Sequence, residues 1–210
     1  NGWANTLTRR FSNGLQFVGA YTWSHNIADS TAEVFSTYTT PRRAQNGYDL
    51  RADKSSSALD HRQRFSLAVI YDVTAFKNSN WFMKNILSNW EIAPVYQYQT
   101  GTYYDVQSGA DSNLNGDSAG DRVFVNPNGQ ARVGSGTTAL TNSAGQTVAY
   151  LVNNTNARYI TAPRGTLPNG GRNTANLPPI NDIDITLAKN VNITERYRLQ
   201  FAARGAKVIG

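Results

Sequence analysis

Apolar and polar side chains alternate along several segments of this chain, most clearly between Leu15 and Ser24. One side of the alternation carries large apolar groups: Leu15, Phe17, Tyr21 and Trp23. The other side carries polar groups: Gln16, Thr22 and Ser24. Because successive side chains of a β-strand point to opposite faces, this pattern predicts a strand with one apolar and one polar face.

The same alternation recurs along the chain and predicts six strands. They lie at about residues 3–11, 15–26, 61–74, 89–100, 180–189 and 195–204. Asn13 and Gly14 favour positive φ angles, so they predict a tight hairpin turn between the first two strands. Pro94 lies inside the fourth predicted strand, where a proline is expected to mark a sheet edge or a bulge.

Short and long connections alternate between the predicted strands. The short ones are residues 12–14, 75–88 and 190–194, and the long ones are residues 27–60 and 101–179. Outer-membrane β-barrels have short turns on the periplasmic side and long loops outside. The sequence therefore predicts one all-β domain over residues 1–210, in which antiparallel strands form part of a transmembrane outer-membrane β-barrel with long extracellular loops.

Two connections contain further signals. Within residues 75–88, the segment from Trp81 to Leu87 predicts a short helical or interfacial turn. Residues 101–179 are rich in Gly, Asn, Ser, Thr and Pro, with short strand-like pieces such as Thr147 to Val152. Both long connections are predicted to be polar loops.

The composition excludes several classes of protein. Of 210 residues 40% are hydrophobic, and no run approaches the ~18 apolar residues that a membrane helix needs. Such a chain can cross a bilayer only as a closed barrel of strands. Cysteine is absent, which excludes disulfides and thiolate chemistry. The net charge is +6, but the basic residues are scattered, so we expect no nucleic-acid partner.

A soluble, secreted all-β binding module is the alternative interpretation. Its sheets also alternate between apolar and polar positions, and the aromatic residues would then belong to an ordinary core. Some Trp and Tyr side chains would serve as stacking platforms for a carbohydrate. Lipid-facing aromatics demand detergent, whereas a sugar-binding module stays soluble without it.

Several segments resemble the barrel of TonB-dependent outer-membrane receptors, in particular the Oar-like group with a carboxypeptidase-regulatory-like N-terminal domain. In chain order they are RRFSNGLQF (9–17) with AYTWSH (20–25), DHRQRF (60–65), WEIA (90–93) with QTG (99–101), NLNGD (113–117) with GDR (120–122), and NDIDITLAKN (181–190) with TERYRLQF (194–201). The last strand departs from that group, because it continues as AARGAK (202–207) without a terminal aromatic residue.

The resemblance implies a location in the bacterial outer membrane and the uptake of a large or scarce solute. It also implies membrane lipid, a plug domain and the TonB complex as partners, the last two through an N-terminal part that this sequence lacks. Six strands cannot close a barrel of that family's size, because ~8 strands already form the smallest filled barrel. We therefore expect the chain to be a fragment that forms one arc of the barrel wall.

One polar segment has the spacing of a calcium loop. Oxygen-bearing side chains occur at alternate positions and Gly116 stands at the sixth position, where such a loop turns sharply. The candidate ligands are Asp111, Asn113, Asn115, Asp117 and Asp121. Position twelve is Arg122, where a bidentate Glu is usual. An ordinary Asn/Asp/Gly-rich turn is the competing interpretation.

Catalytic chemistry is not expected. The chain has two histidines, His25 and His61, both at predicted junctions between a strand and a loop. They offer no convincing triad, and we predict that the chain is not an enzyme and has no other cofactor. If the barrel interpretation holds, the inward-facing polar side chains line the lumen or touch the plug: Gln16, Arg64, Glu91, Gln97, Asp182, Asp184, Arg196 and Arg198.

Overall fold

A computed structural model describes residues 1–29, 43–73, 80, 83, 86–192 and 198–208. Within them the strands, in chain order, are β1 (Gly2–Ser12), β2 (Leu15–Ser24), β3 (Ile27–Ala28), β4 (Ser55–Ser56), β5 (Gln63–Asp72), β6 (Trp90–Gln99), β7 (Tyr103–Tyr104), β8 (Phe124–Val125), β9 (Gln130–Ser135), β10 (Thr137–Thr141), β11 (Thr147–Val152), β12 (Ala157–Ile160), β13 (Ala175–Asn176), β14 (Ile180–Asn192) and β15 (Arg198–Val208). A short 3-10 helix covers Leu50–Asp53.

The chain forms two compact units. The first, here called the sheet unit, comprises Asn1–His25, His61–Gly101 and Pro178–Gly210. The second, here called the insert unit, comprises Asn26–Asp60 and Thr102–Leu177. Among the described residues, no helix has the length and apolar character needed to cross a bilayer.

The sheet unit is a six-stranded antiparallel sheet in the order β1-β2-β5-β6-β14-β15. Its strands coincide with the six predicted segments to within a few residues at each end. The alternation of apolar and polar residues therefore located these strands correctly, and the all-β antiparallel fold class is confirmed.

The turn between β1 and β2 has the geometry that its sequence predicts. Asn13 has φ 53° and Gly14 has φ 78°, so both central residues are left-handed, as a type I′ turn requires. Ser12 pairs with Leu15 across the turn. A register irregularity between Arg9 and Ser12 precedes it.

The expectation that Pro94 marks a sheet edge or a bulge was wrong. Strand β6 is internal, because it lies between β5 and β14, and Pro94 pairs in register with Ile185 of β14. On the other side the register with β5 stops at Ala68↔Val95 and resumes at Tyr71↔Ile92. A proline has no N–H to donate, so the ladder is interrupted on that side alone and the strand keeps its central place.

One face of the sheet, here called the apolar face, carries most of the large apolar side chains. The other, here called the polar face, carries the charged and amide side chains together with some aliphatic ones such as Val18 and Ile70. Register pairs place Leu67 of β5 between Gly19 of β2 and Tyr96 of β6, all on the apolar face. The next residue, Ala68, pairs with Val18 and Val95 on the opposite face. Because every neighbouring pair is in antiparallel register, each strand contributes its alternate residues to the same two faces.

The connection between β5 and β6 contains one helical turn. Leu87 donates its backbone N–H to the carbonyl of Met83 at 3.0 Å, and Trp90 Nε1 donates to the Ile86 carbonyl at 2.9 Å. Met83, Ile86 and Leu87 are exposed. Trp81 and Phe82, with which the predicted turn begins, lie outside the described residues.

The insert unit is assembled from small sheets. Strands β8, β12 and β9 form a three-stranded sheet in that order, and β10 and β11 form a hairpin. Two-stranded pairs join β3 to β4 and β7 to β13. Strand β11 coincides with the strand-like piece predicted at Thr147 to Val152. The sequence predicts polar loops with short strand-like pieces for the long connections, and the structure shows that they also contain ordered small sheets.

Polar residues fill the interior of the insert unit. Its buried polar and charged residues are Gln45, Asp53, Ser57, Asp60, Asp105, Ser112, Asp121, Arg122, Arg172 and Asn173. Its buried apolar residues are small: Ala58, Val123, Ala157 and Ala162. Burying a polar group is costly unless it is hydrogen-bonded, so side-chain hydrogen bonds contribute much of the cohesion of this unit.

Candidate functional site

The apolar face of the sheet has aromatic side chains towards both ends of its strands. Trp3 pairs with Trp23 at one end, and Trp90 pairs with Lys189 at the other. On the internal strand β14, Ile185 is 46% exposed and Leu187 is 38% exposed, so large apolar groups on this face are not covered by other parts of the described chain. A contiguous exposed apolar face marks an interaction surface. Apolar residues between two aromatic girdles are typical of a lipid-facing barrel wall.

The strands have the length that a bilayer requires. Strands β2, β5 and β6 have 10 residues each, and β1 and β15 have 11. A tilted transmembrane β-strand needs ~9–11 residues. Each of these strands is therefore long enough to span the hydrocarbon core.

Ring contacts strengthen the aromatic end of the sheet next to the long connections. The rings of Trp3 and Tyr21 meet edge-on with centroids 6.1 Å apart and an interplanar angle of 72°. The rings of Phe65 and Tyr96 lie 5.9 Å apart at 53°. Aromatic rings in such geometries attract one another beyond their buried area, so they give this end a continuous aromatic rim.

Lys189 lies on the apolar face at the opposite end. Its Nζ donates hydrogen bonds to the carbonyls of Ile86 (3.1 Å) and Ser88. The same Nζ lies 5.1 Å from the centroid of the Trp90 ring. A lysine whose ammonium reaches polar groups at a strand end, while its stem covers apolar surface, is typical of a membrane boundary.

The polar face carries a shallow hollow of about 390 Å³. Its lining includes Thr22, Arg64, Ser66, Gln97 and Gln99. Register places them in two adjacent rows, because Thr22 pairs with Arg64 and Arg64 pairs with Gln99. This face combines hydroxyl, amide and charged groups, as the water-filled side of a barrel wall does.

An ion pair lies on the same face. Arg204 Nη2 of β15 is 2.6 Å from Asp184 Oδ2 of β14. The register confirms that Gln16, Arg64, Glu91, Gln97, Asp182 and Asp184 share the polar face, as their alternation predicts. Arg196 lies outside the described residues, and for Arg198 only the backbone pairing with Asn192 is described.

Both histidines lie at junctions between the sheet and a long connection. His61 Nδ1 lies 3.0 Å from the Thr100 carbonyl, and its Nε2 lies 3.3 Å from Gln99 Nε2. The backbone N–H of His25 donates to the Asn1 carbonyl at 2.8 Å. These contacts tie strand ends together, and they include no carboxylate beside either imidazole.

The predicted calcium loop is a series of turns closed by its own side chains. Asp111 accepts N–H groups from Asn115 (3.0 Å) and Gly116 (3.1 Å), and Gly116 has φ 85°. Asn113 Oδ1 accepts from Asn115, and Asn115 Oδ1 accepts from Asp117. The sixth-position glycine therefore makes the sharp turn, while the oxygen atoms at alternate positions bond the loop backbone.

Three of the five candidate ligands, Asn113, Asp117 and Asp121, have further partners. Asn113 Nδ2 donates to the backbone carbonyl of Gln45 at 2.7 Å. Asp121 is buried, and its Oδ2 accepts from the backbone of Ser112 at 2.7 Å. Asp117 Oδ2 lies 3.6 Å from Arg43 Nη1. Among the described residues, no three His, Cys, Asp or Glu side chains converge as a metal cluster. Calcium binding at this loop stays a prediction.

Arg122, which occupies position twelve of the loop pattern, has a structural role. Its Nη1 lies 2.5 Å from Asp53 Oδ1, and its Nε donates to the Gly170 carbonyl at 2.7 Å. Arg172 Nη1 donates to the carbonyls of Ala28 and Asp53. Sequence reasoning missed this cluster, because nothing in the local pattern distinguishes a buried charge from a solvated one.

Two carboxyl groups of the insert unit are poorly solvated. Burial raises the pKa of Asp105. The hydrogen bond from the Asn173 N–H and the charges of Arg122 and Arg172 lower this pKa, but each has a smaller effect than burial. Burial likewise raises the pKa of Asp121, against hydrogen bonds from Ser112 and Asn113. Asp105 Oδ2 and Asp121 Oδ1 are buried and have no hydrogen-bond partner among the described residues. The ionised forms of these carboxyls are therefore incompletely compensated.

The sheet, its lipid-length strands and its two girdles define an arc of a transmembrane β-barrel. A family comparison agrees with this class: residues 1–204 match the family described as "Outer membrane beta barrel domain". The match covers nearly the whole chain, and the chain belongs to this family. Its location is the outer membrane.

Searches of curated proteins and of solved structures found no match. The family membership nevertheless decides between the two interpretations of the sequence. An outer-membrane barrel domain explains why the aromatic face is exposed, whereas a soluble module would bury that face in its core. We therefore do not retain the secreted soluble module as the class of this protein.

Proposed function

We propose that this chain is part of a TonB-dependent outer-membrane receptor of the Oar-like group, which takes up a large or scarce solute. The observation that carries the proposal is the polar, hollowed inner face of an open six-stranded arc. The sequence resemblance to that group agrees with it. In this proposal the arc is one part of a larger barrel wall around a plug domain.

The polar side chains on one face of the sheet favour a receptor over a small packed barrel. In an eight-stranded barrel, side chains fill the interior. Here the inner face presents Arg64, Gln97, Asp182 and the Asp184–Arg204 pair, which suit water or a polar plug better than a packed core. Strands β1 and β15 form the two edges of the sheet, and in a closed barrel both would pair with further strands.

The size of the insert unit supports ligand capture. Residues 26–60 and 102–177 leave the sheet at neighbouring strand ends, since Arg62 accepts a hydrogen bond from Ser24 and Ile180 pairs with Gln99. Barrels place such long connections on the outside of the cell. In the proposal the insert unit meets the solute, the apolar face meets lipid, and the plug and TonB act from the N-terminal part of the receptor. The proposal includes no catalytic step and no nucleic-acid partner.

The test uses the natural protein from bacterial outer membranes. The solubilised protein is passed over a column that carries the immobilised periplasmic domain of TonB. An antibody against this chain detects the protein, and an unrelated porin serves as the control. We expect the antibody to detect a species much larger than 23.1 kDa. The TonB column is expected to retain this species, whereas the porin passes through. A species near 23.1 kDa, or one that passes through with the porin, would contradict the receptor proposal.

A further inference from the structure

The insert unit contains a cleft of about 340 Å³ formed by three chain segments. They are residues 44–48, residues 112–115 and residues 165–167. Ligand clefts typically measure ~300–1,000 Å³ and combine apolar surface with a few fixed polar groups. This cleft is large enough to hold part of an extended ligand.

Gln45 joins the three walls of the cleft. The side-chain amide of Gln45 donates to the Pro168 carbonyl at 3.0 Å. The backbone carbonyl of Gln45 accepts from Asn113 Nδ2 at 2.7 Å. Its backbone N–H donates to Asp53, whose carboxylate pairs with Arg122. The walls are therefore fixed to the buried ion pair, so the cleft is preorganised and binding costs little ordering entropy.

Further hydrogen bonds fix the polar groups of the lining. Thr166 donates its backbone N–H to the Ser112 carbonyl at 2.9 Å and its hydroxyl to the Pro163 carbonyl at 2.6 Å. Asn46 Oδ1 accepts from the N–H of Tyr48 at 3.0 Å. Among the described residues, Asn46 Nδ2 and the Tyr48 hydroxyl have no partner, so they are available to a ligand.

The rim of the cleft carries apolar surface. The Tyr48 side chain is fully exposed at 103% of its reference area, and Leu114 and Leu167 are 58% and 60% exposed. A tyrosine ring offers an apolar face and a polar tip at low entropic cost. The exposed ring beside amide and hydroxyl groups can stack on one side of a flat ligand and hydrogen-bond its edge.

The lining carries no charged side chain. It consists of Ala44, Gln45, Asn46, Gly47, Tyr48, Ser112, Asn113, Leu114, Asn115, Gly165, Thr166 and Leu167. Charged residues directly flank the three segments: Arg43, Asp49, Asp111 and Arg164. The Asp111 carboxylate accepts hydrogen bonds from the backbone of Asn115 and Gly116, and Arg43 Nη1 lies 3.6 Å from Asp117 Oδ2. No side chain of the lining itself offers a charged ligand a counter-charge to replace its lost hydration. A neutral ligand with alternating apolar faces and hydroxyl edges fits the chemistry of the lining.

We propose that this cleft binds a neutral oligosaccharide, with the Tyr48 ring stacking on a sugar face. Amide and hydroxyl groups of Asn46, Asn115 and Thr166 then hydrogen-bond its hydroxyls. The oligosaccharide would be the solute that the proposed receptor captures. Only this biological role depends on the receptor proposal. Binding itself needs neither TonB nor the plug.

The test measures binding of the full chain to a panel of neutral hexasaccharides: malto-, cello-, xylo-, manno- and N-acetylchito-hexaose. The protein is kept in an amine-oxide detergent, because a maltoside detergent would itself compete as a sugar. Isothermal titration gives Kd for each sugar with the wild type and three variants. They are Tyr48→Ala, Tyr48→Phe and Tyr150→Ala, the last removing an exposed tyrosine of β11 outside the cleft.

We expect at least one sugar to bind, and Tyr48→Ala to weaken it about tenfold because the stacking surface is lost. Tyr48→Phe retains the ring and is expected to bind within about threefold of the wild type, as is Tyr150→Ala. Because the Tyr48 side chain is fully exposed, Tyr48→Ala is expected to fold like the wild type, and circular dichroism checks this directly.

Three outcomes would overturn the inference. They are no binding of any hexasaccharide, equal binding by Tyr48→Ala and the wild type, or an equal loss of binding in Tyr48→Ala and Tyr150→Ala. The receptor proposal fails by a different readout, the capture by TonB. If the protein binds a sugar but TonB does not retain it, the oligosaccharide inference stands and the receptor proposal fails.

Discussion

Asp53 and Arg122 form a buried ion pair, with Asp53 Oδ1 and Arg122 Nη1 2.5 Å apart. The two residues are 69 positions apart and belong to different long connections of the chain. Their side chains are only 2% and 4% exposed, respectively. The pair therefore links residues 26–60 to residues 102–177 inside the insert unit and supports the cleft through Gln45.

Arg122→Met is expected to destabilise the insert unit strongly. Removing one partner leaves the Asp53 carboxylate buried and uncompensated, which costs ~3–5 kcal/mol. Amide hydrogen exchange of β8, β9 and β12 measures the loss as reduced protection. The matched control is Arg43→Met, since the Arg43–Asp117 pair is exposed and such pairs contribute only ~0–1 kcal/mol. Equal protection in the two variants would contradict a structural role for Arg122.

The stability of the insert unit is expected to fall as the pH rises from about 4 towards neutrality. Burial raises the folded-state pKa of Asp105 and Asp121 above 3.8, so the folded unit binds protons more tightly than the unfolded chain does. Stability is then highest below the unfolded pKa and is lost as the pH rises through the folded pKa. Urea unfolding followed by hydrogen exchange at several pH values measures this slope.

Asp105→Asn tests that origin of the pH dependence. The amide oxygen can still accept the N–H of Asn173, which lies 2.5 Å from Asp105 Oδ1, while the ionisable group is gone. We expect a shallower slope of stability between pH 4 and pH 7. Asp29→Asn, at an exposed position of the same unit, serves as the control and is expected to keep the full slope. An unchanged slope in Asp105→Asn would refute the assignment.

Gly170→Ala is expected to disrupt the contact between two segments of the insert unit. A Cβ at this position would lie 2.4 Å from the Val123 carbonyl oxygen, which accepts the Gly170 N–H at 3.0 Å. Overpacking of this kind costs ~1–3 kcal/mol. Gly134→Ala is the control, because its nearest contact would be an ordinary 3.8 Å. Comparable midpoints of urea unfolding for both variants would contradict the close approach.

Calcium binding to residues 111–121 can be tested with the metal alone. Side-chain oxygens alternate with Gly116 at the sharp turn, and extracellular calcium modules bind with Kd ~10⁻⁴–10⁻³ M. We expect isothermal titration with CaCl₂ to show binding in that range, and Asp111→Asn with Asp117→Asn to abolish it. Asp29→Asn is the control. No binding heat in the wild type would leave the segment as a hydrogen-bonded turn only.

The sheet could be predicted from the sequence because short continuous segments specify its strands and its first turn. Period-two alternation from Leu15 to Trp23 fixes both the strand and its faces, and Asn13-Gly14 fixes the turn beside it. Pro94 shows the limit of such reasoning. The position of a strand within a sheet depends on its neighbours, and β14 accepts Pro94 in register where β5 does not pair with it.

The insert unit could not be predicted in the same way. Its stability rests on bonds between residues far apart in sequence, such as Gln45 with Pro168 and Arg122 with Asp53. These residues lie in polar stretches without periodicity, so no local signal marks them as buried. The cleft beside Tyr48 was missed for the same reason, because its three walls come from separate segments.

The most direct test of the central claim compares the two faces of one strand in the natural protein within the outer membrane. Leu67 lies on the apolar face of β5, and its neighbour Ser66 lines the polar hollow. Each is replaced by cysteine and labelled with a lipid-soluble and a membrane-impermeant maleimide. The tryptic peptide 65–77 covers both positions and has no other cysteine, so mass spectrometry assigns the label.

The account predicts that Leu67→Cys reacts mainly with the lipid-soluble reagent and Ser66→Cys mainly with the water-soluble one. Preferential water-soluble labelling of Leu67→Cys, or identical labelling of the two positions, would contradict the assignment of this sheet as a barrel wall with lipid on one side and water on the other.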